Sequence, residues 1–410
     1  MEGCHNGRRP CFCAGDRRKI MKKKLLVING HLNPGGVESS LLSFLQHLDP
    51  EQYDVDLLLL EEYGDLCPAL PSHVHVILLD LHNTYGSLKE SFQRSFKARD
   101  WKSMALRLIF FQMKFQGQKA ISHARRFLPI RDHYDVAIAY RPGICTQLAV
   151  WAVKSDRTIT WWHHGEFNWD TDFWKESASL CDAIAVVSSS CKTMLVDRAP
   201  ELESRMKVIP NMLDEERIHR KADAFDPGYD PDLLQIVSLS RLTPEKHIEN
   251  TILAAARLKK EGFSFQWHLV GGGELEDSLK DLARENQVED VFFFEGSQSN
   301  PYPYLKQADL FVHPSYVESQ GLVVLEALSL HIPGVITKSL GPCEFIQDGT
   351  NGLLADPDPE SLQEKILGIL RNRELYETIK SHAVCPKQFS PQTIMQQIED
   401  QLLAPSSRGN

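Results

Sequence analysis

Two carboxylates, Glu318 and Glu326, flank the point where an apolar run gives way to an Ala/Leu-rich segment that opens with Gly321. Carboxylates accept hydrogen bonds from hydroxyl groups, so the pair suits the two ends of an elongated, sugar-containing ligand. Free N–H groups at the start of the predicted helix, reinforced by its dipole, favour a diphosphate between them. Gly321 lets the ligand approach the backbone because it carries no Cβ. The competing interpretation is an ordinary loop with two solvated glutamates.

Arg241 and Lys246 supply cations on one loop, between a predicted strand at 235–239 and a helix predicted to begin near Pro244. Arginine binds phosphate oxygens in a bidentate manner, whereas lysine acts as a point charge. Exposed arginine and lysine are common, so the pair gains its meaning from the glutamates further along the chain. The next predicted strand ends in a glycine run, and Gly272 is expected to line the same pocket or to form a plain turn.

Two adjacent histidines, His163 and His164, follow a predicted strand at 157–162. The carboxyl ends of parallel strands are where open α/β sheets bind ligands. An imidazole at this place suits the positioning of an acceptor hydroxyl or assistance in its proton transfer, and Glu166 is a candidate to orient the ring. A structural histidine pair is the alternative interpretation.

A strand, a glycine loop and a helix are predicted near the start of the chain, at 24–29, at Gly35-Gly36 and at 37–48. This order typically begins a doubly wound α/β unit. The loop lacks the GxGxxG pattern, so a dinucleotide site is poorly supported. The two glycines are expected either to face a ligand or to form a tight turn.

The glutamate pair belongs to a longer motif. Glu318 to Glu326 resembles the Glu-x7-Glu motif of retaining, GT-B-fold glycosyltransferases of family 4, the group 1 type. The resemblance continues through Gly321, Leu325-Glu326-Ala327, Pro333, Gly341-Pro342-x-Glu344 and Asp348-Gly349-x-Asn351-Gly352. A run of this length and order makes the resemblance specific.

The resemblance implies a donor site around the motif. In that family the first glutamate, here Glu318, contacts the donor sugar, and the second, Glu326, contacts the nucleotide ribose. Backbone amides between them hold the diphosphate, which assigns Leu322 and Val323 to donor binding.

The resemblance also implies roles for the other candidates. Arg241 and Lys246 match the pair that neutralises the departing nucleoside diphosphate. His163 matches the functional histidine by spacing, and the second histidine of the pair is the fallback. Gly35 and Gly36 match a Gly-Gly-x-Glu loop that faces donor and acceptor across the cleft.

The expected architecture is α/β, a GT-B fold in which two doubly wound, Rossmann-like domains face each other across a cleft. Residues 1–20 are predicted to be a disordered extension. The N-terminal, acceptor-side domain is placed at 21–207 and the nucleotide-sugar-binding domain at 208–387. A C-terminal helix and tail at 388–410 are expected to cross back to the first domain.

One segment, residues 91–131, stands out by its charge. It carries ten Lys/Arg residues and one acid, Asp100, a local net charge of +9, whereas the whole chain has a net charge of −10. Interleaved aromatic residues make it a candidate basic amphipathic region that binds an anionic membrane surface. The alternative is a helical pair whose aromatics form core and whose charges are solvated. The negative net charge of the whole chain argues against a nucleic-acid partner.

These observations predict a metal-independent, retaining glycosyltransferase that takes a sugar from a nucleotide sugar, with UDP-sugar favoured. No cofactor is expected apart from this substrate, and neither Asp54-x-Asp56 nor Asp356-x-Asp358 is interpreted as a metal site. The acceptor is expected to be a lipid-linked glycan in cell-surface polysaccharide synthesis, such as capsule or lipopolysaccharide. Dispersed cysteines and the lack of an apolar leader favour a cytoplasmic protein, peripheral on the inner face of the membrane. The alternatives are a nucleotide-sugar hydrolase or epimerase, and a non-catalytic membrane-bound partner of other transferases.

Overall fold

The computed structural model describes residues 21–404 apart from 34, 62–63, 80–95, 97–100, 117 and 164–170, so the extension 1–20 lies outside the described residues. Two parallel sheets organise the described chain. The first has seven strands in the order β3-β2-β1-β4-β5-β6-β7. These are β1 Lys23–Asn29, β2 Tyr53–Leu59, β3 Val74–Leu78, β4 Tyr134–Ala139, β5 Ser155–Trp162, β6 Ala183–Val186 and β7 Met206–Val208.

The second sheet has six strands in the order β10-β9-β8-β11-β12-β13. They are β8 Leu234–Leu239, β9 Phe265–Val270, β10 Phe292–Gly296, β11 Leu310–His313, β12 Gly334–Thr337 and β13 Leu353–Ala355. In each sheet the strand order reverses at one point, between β1 and β4 and between β8 and β11. Open α/β sheets bind ligands outside the carboxyl ends of the strands at such a switch point.

Helices connect the parallel strands, as crossovers between parallel strands require. In chain order the α-helices are α1 Gly36–His47, α2 Trp101–Gln116, α3 Ile144–Trp151, α4 Thr171–Ser179, α5 Ser189–Arg198, α6 Glu215–Ala222, α7 Glu249–Lys260, α8 Glu276–Glu285, α9 Tyr302–Lys306, α10 Leu322–Ser329, α11 Pro359–Arg371, α12 Arg373–His382 and α13 Pro391–Ile398. Short 3₁₀ segments lie at Cys67–Ala69, Gln118–Arg126, Pro200–Arg205, Pro244–Lys246, Pro342–Glu344 and Lys387–Phe389, and a π-helical turn at Glu399–Leu403.

The strands are continuous apolar runs because helices cover both faces of each sheet. In β1, Leu25 pairs with Val55 on one side and with Val136 on the other, and all three side chains are buried. The strand predictions are confirmed, and so is the GT-B arrangement of two doubly wound, Rossmann-like units.

Within the described residues the chain crosses between the two sheets twice. The first crossing follows β7 at residues 209–213, and the second precedes α13. The two crossings are bonded to each other, because the Leu213 N–H donates to the Phe389 carbonyl at 2.8 Å. After the second crossing, Ile394 and Ile398 of α13 pack into the core of the first sheet. The expected C-terminal return is therefore present.

Two expectations about local structure need correction. The helix predicted near Pro244 is only a 3₁₀ turn, because His247 adopts the left-handed conformation at φ 49° and the α-helix begins at Glu249. Within the basic segment, Arg131 is partly buried and its charge is already paired. Its guanidinium bonds Asp54 and the buried Asp56, which therefore serve as ion-pair partners within the first sheet.

Candidate functional site

Glu318 lies on the loop between β11 and α10, close to two cationic or donor side chains. Lys246 Nζ is 2.6 Å from Glu318 Oε1, and His313 Nε2 is 2.9 Å from the same oxygen. Burial by itself raises the pKa of Glu318, but the hydrogen bonds from His313 and Lys246 and the positive charge of Lys246 outweigh it and lower the pKa to about 2. The side chain is 14% exposed, so an ionised carboxylate lies at the edge of the cleft.

Gly321 begins the helix that follows. It adopts φ 79° as the N-cap of α10, and a Cβ there would lie 2.8 Å from Pro342 Cγ, so only glycine fits this turn. The N–H groups of Leu322 and Val323 lie in the first turn, where a helix has no acceptors of its own. This end of α10 can therefore bind an anion.

The glycine loop of the first sheet meets this helix end. A Cβ on Gly36 would lie 3.9 Å from Leu322 Cδ1, so the start of α1 and the start of α10 lie close together. Gly35 lies against the Glu38 carboxylate, which is buried and paired with Arg141. Arg141 follows β4, at the switch point of the first sheet.

Glu326 lies on α10 and is half-buried. Its Oε1 accepts a hydrogen bond from the Tyr302 hydroxyl at 3.0 Å. Burial raises the pKa of Glu326 to about 7, against the lowering effects of the Tyr302 hydrogen bond and of the positive charges of Arg217 and Lys221. This carboxyl group is thus poised between its two protonation states near neutral pH.

Arg241 and Lys246 lie on the same loop after β8 but in different surroundings. The Arg241 side chain is 68% exposed and, among the described residues, bonds only Glu245, at 3.3 Å, whereas Lys246 is 13% exposed and bonds Glu318. The imidazole of His247 stacks on Tyr316 with ring centroids 3.7 Å apart. That contact holds the cationic loop against the Glu318 loop.

The glycine run after β9 lies beside the Arg241 loop. The Leu242 N–H donates to the Gly272 carbonyl at 3.0 Å, and a Cβ on Gly272 would lie 3.4 Å from Ser297 Cβ. Gly272 therefore borders the same switch point as Arg241.

His163 lies directly after β5, 7% exposed, against the rings of Tyr140 and Trp161. The ring centroids are 4.9 Å and 5.8 Å away, respectively. The fallback residues His164 and Glu166 lie outside the described residues.

Direct contacts join the two sheets next to the Glu318 loop. Gln320 exchanges two hydrogen bonds with the backbone of Asn211 at the first crossing. Ser40 of α1 donates to Asn211 Oδ1 at 2.7 Å. On the other side of the loop, the Glu344 carboxylate accepts hydrogen bonds from the first two N–H groups of α5, at 3.2 Å and 2.6 Å.

Sequence reasoning missed three residues of this site. His313 is the last residue of β11, a position at the carboxyl edge of the sheet that could have identified it. Arg141 follows β4 in the same way. Tyr302 precedes Glu326 by a whole strand and loop, and no sequence pattern links the two.

Residues 219–384 match the model of the glycosyl transferases group 1 family. The match covers the part of the chain that carries the glutamate motif, and it confirms the resemblance expected from that motif.

Curated relatives agree with this assignment. The lipopolysaccharide core biosynthesis glycosyltransferase LpsE of Rhizobium meliloti is 34% identical over 162 residues, 39% of this chain and 46% of the relative. The amylovoran biosynthesis glycosyltransferase AmsK of Erwinia amylovora is 31% identical over 33% of this chain and 35% of the relative. The chain thus spans about half or less of the length of these relatives.

Solved structures match nearly the whole chain in fold. Anabaena Alr3699/HepE, in complex with UDP and glucose, superposes with a TM-score of 0.70 at 20% identity, over 93% of this chain and 99% of that chain. TarM of S. aureus superposes with a TM-score of 0.69 at 15% identity, over 94% of this chain and 100% of that chain. Both likenesses show the GT-B fold.

Proposed function

We propose that this chain is a retaining glycosyltransferase that moves a sugar from a UDP-sugar to an acceptor hydroxyl. The observation that carries the proposal is the arrangement at Glu318. An ionised, partly exposed carboxylate lies beside Lys246 and next to the open start of α10, at the switch point of the second sheet. The group 1 family match supports the reaction class, and the UDP in the Anabaena structure supports the nucleotide.

The donor lies along α10 in this proposal. Glu318 accepts hydrogen bonds from the sugar hydroxyls, and the N–H groups of Leu322 and Val323 bind the diphosphate. Further along the helix, Glu326 binds the ribose hydroxyls. Its hydrogen bond from Tyr302 is then replaced by hydrogen bonds from the ligand. Gly272 borders the nucleotide end.

Leaving-group stabilisation supplies the main catalytic effect. The bond from the anomeric carbon to the diphosphate oxygen breaks, and negative charge develops on that oxygen. Arg241, Lys246 and the α10 dipole stabilise this charge, which lowers the barrier without a metal ion. The acceptor hydroxyl attacks the same face of the sugar, and its proton passes to the departing phosphate.

The acceptor binds on the first sheet, near Gly35, Gly36 and His163. His163 positions the attacking hydroxyl at the carboxyl end of β5. We further propose that the chain divides near residue 208 into an acceptor-side and a donor-side domain. The acceptor is a lipid-linked glycan of a surface polysaccharide, a proposal supported by the similarity to LpsE of lipopolysaccharide core biosynthesis and to AmsK of amylovoran biosynthesis.

The basic segment 91–131 places the enzyme on an anionic membrane in this proposal. None of the helices in the described part of the chain is long and apolar enough to cross a membrane. In α2, Leu106 and Ile109 are buried in the core of the first sheet, whereas Trp101 is 61% exposed and Leu108 is 49% exposed. One side of the helix thus anchors it, and the other presents apolar groups beside the exposed Lys102.

A panel of UDP-sugars tests the function. The protein is incubated with each donor, with and without lipid-linked glycan acceptors, and free UDP, free sugar and glycosylated product are measured separately. Product with the anomeric configuration of the donor is expected. Release of free sugar without transfer would favour the hydrolase alternative. Donor binding absent for the whole panel would favour the non-catalytic partner.

A further inference from the structure

The residue that ends β11, His313, lies on the buried side of the Glu318 carboxylate. The residue is 1% exposed, and its Nε2 is 2.9 Å from Glu318 Oε1. We propose that His313 is a positioning residue that orients Glu318 toward the donor sugar. This inference rests on the donor-binding role proposed for Glu318.

The two partners of Glu318 bind the same oxygen. Lys246 Nζ and His313 Nε2 both contact Oε1, and the described residues form no hydrogen bond to Oε2. Two donors on one oxygen fix the rotation of the carboxylate plane, which a single donor leaves free. Oε2 is then held in one direction as the acceptor for a sugar hydroxyl.

His313 is the rigid member of this pair. Its ring is held at the end of a buried strand and stacks on Phe311, with centroids 5.9 Å apart and planes at 15°. Lysine carries its ammonium on a flexible four-carbon chain. Lys246 is also the group proposed to approach the diphosphate. His313 therefore keeps Glu318 in place when the Lys246 ammonium also donates a hydrogen bond to the diphosphate.

The protonation pattern of the ring agrees with a donor role. Nδ1 of His313 is buried and has no hydrogen-bond partner among the described residues. A proton on Nδ1 would be a buried donor without an acceptor, which is costly. The tautomer that carries its proton on Nε2 avoids this cost and donates that proton to Glu318.

The test compares three substitutions at residue 313. His313→Gln retains an amide N–H donor of similar reach, His313→Asn retains an amide that is too short, and His313→Leu removes the donor. Calorimetry measures the affinity for UDP-glucose, for UDP-N-acetylglucosamine and for UDP alone, and kinetics separate kcat from KM for the donor that the panel identifies.

His313→Leu and His313→Asn are expected to weaken binding of that UDP-sugar and to lower kcat/KM at least tenfold. Affinity for UDP should stay within twofold, because UDP lacks the donor sugar that Glu318 binds. His313→Gln is expected to recover most of the loss. Equal weakening for UDP and for the UDP-sugar would overturn the proposal, since it would indicate a general disturbance of the pocket.

A double-mutant cycle with Glu318→Gln separates this inference from the proposed function. In the Glu318→Gln background, His313→Leu is expected to have little further effect, because the group that it orients is already altered. Additive losses would overturn the positioning role. If Glu318→Gln alone leaves sugar binding and transfer intact, the donor role of Glu318 fails and the inference fails with it. If Glu318→Gln is damaging and His313→Leu is harmless, only the inference fails.

Discussion

Gln320 and Asn211 bind each other through both hydrogen-bonding groups of the glutamine amide. The Asn211 N–H donates to Gln320 Oε1 at 2.7 Å, and Gln320 Nε2 donates to the Asn211 carbonyl at 3.0 Å. Both residues are less than 10% exposed. Gln320 is two residues from Glu318, and Asn211 belongs to the first crossing. The donor loop is therefore bonded directly to the segment that joins the two sheets.

Replacing Gln320 with alanine is expected to lower both stability and activity. The Asn211 N–H and carbonyl would be buried without partners, at a cost of about 1–3 kcal/mol for each such group. The Glu318 loop would also lose its fixed position, so kcat should fall. Calorimetric unfolding and transfer rates measure the two effects. Gln347→Ala, at an exposed glutamine, is the control, and an equally small effect of both changes would contradict the prediction.

Donor affinity is expected to rise with pH through neutrality because of Glu326. Its folded-state pKa of about 7 lies above the ordinary value of about 4.3. The stability that this raised pKa contributes to the ligand-free protein is fully present below about pH 4 and is lost as pH rises through 7. If only the carboxylate binds the ribose, affinity for UDP-glucose should increase about tenfold from pH 6 to pH 8.

The choice of ligand and two control variants show whether Glu326 causes the pH dependence of donor affinity. UDP-glucose is used because the terminal phosphate of UDP itself titrates at about pH 6. Glu326→Gln should abolish the pH dependence of binding. Glu318→Gln should weaken binding but leave its pH dependence unchanged. A slope that survives in Glu326→Gln would assign the titration to another group.

Loss of Arg241 or Lys246 is expected to reduce turnover more than donor binding. Each substitution removes one positive charge that stabilises the departing diphosphate. Loss of one comparable donor raises the barrier by about 2.7–4 kcal/mol. Arg241→Ala is the cleaner test, because that side chain is exposed and its one ion pair in the described part of the chain is with Glu245. Arg373→Ala, on a surface helix, is the control. A chelator should leave the rate unchanged, and inhibition that a divalent ion reverses would contradict the metal-independent mechanism.

Vesicle binding is expected to depend on the exposed side of the basic segment. Reversing Lys102 and Arg126 to glutamate, or changing Trp101 and Leu108 to serine, should release the protein from anionic vesicles. Binding should also fall with salt, since exposed charges are screened over about 10 Å at 0.1 M.

The controls for this test are exposed positions outside the segment. Reversal of Lys259 and Lys260, or serine at Leu180 and Val384, should leave vesicle binding unchanged. A wild-type protein that binds neutral and anionic vesicles equally at low salt would show that the segment is only a helical insertion.

The sequence predicted the strands and the donor motif because both are local patterns. Buried parallel strands such as β1 are continuous apolar runs, and the glutamates of the motif are close in the chain. The pairings that set the chemistry are not local. Arg141 meets Glu38 from 103 residues away, and Lys246 meets Glu318 from 72 residues away. The predicted helix start near Pro244 was wrong because His247 adopts a left-handed backbone conformation. Nothing in its residue type indicates that conformation.

The bond between Leu213 and Phe389 couples the two crossings. In the described chain two segments pass between the sheets, and this bond joins one to the other. A shift of one crossing would therefore strain its hydrogen bond to the other, so the two crossings respond together. The Glu318 loop is bonded to the first crossing through Gln320 and Asn211. A change in the relative position of the two sheets would thus act on the donor loop through its own hydrogen bonds.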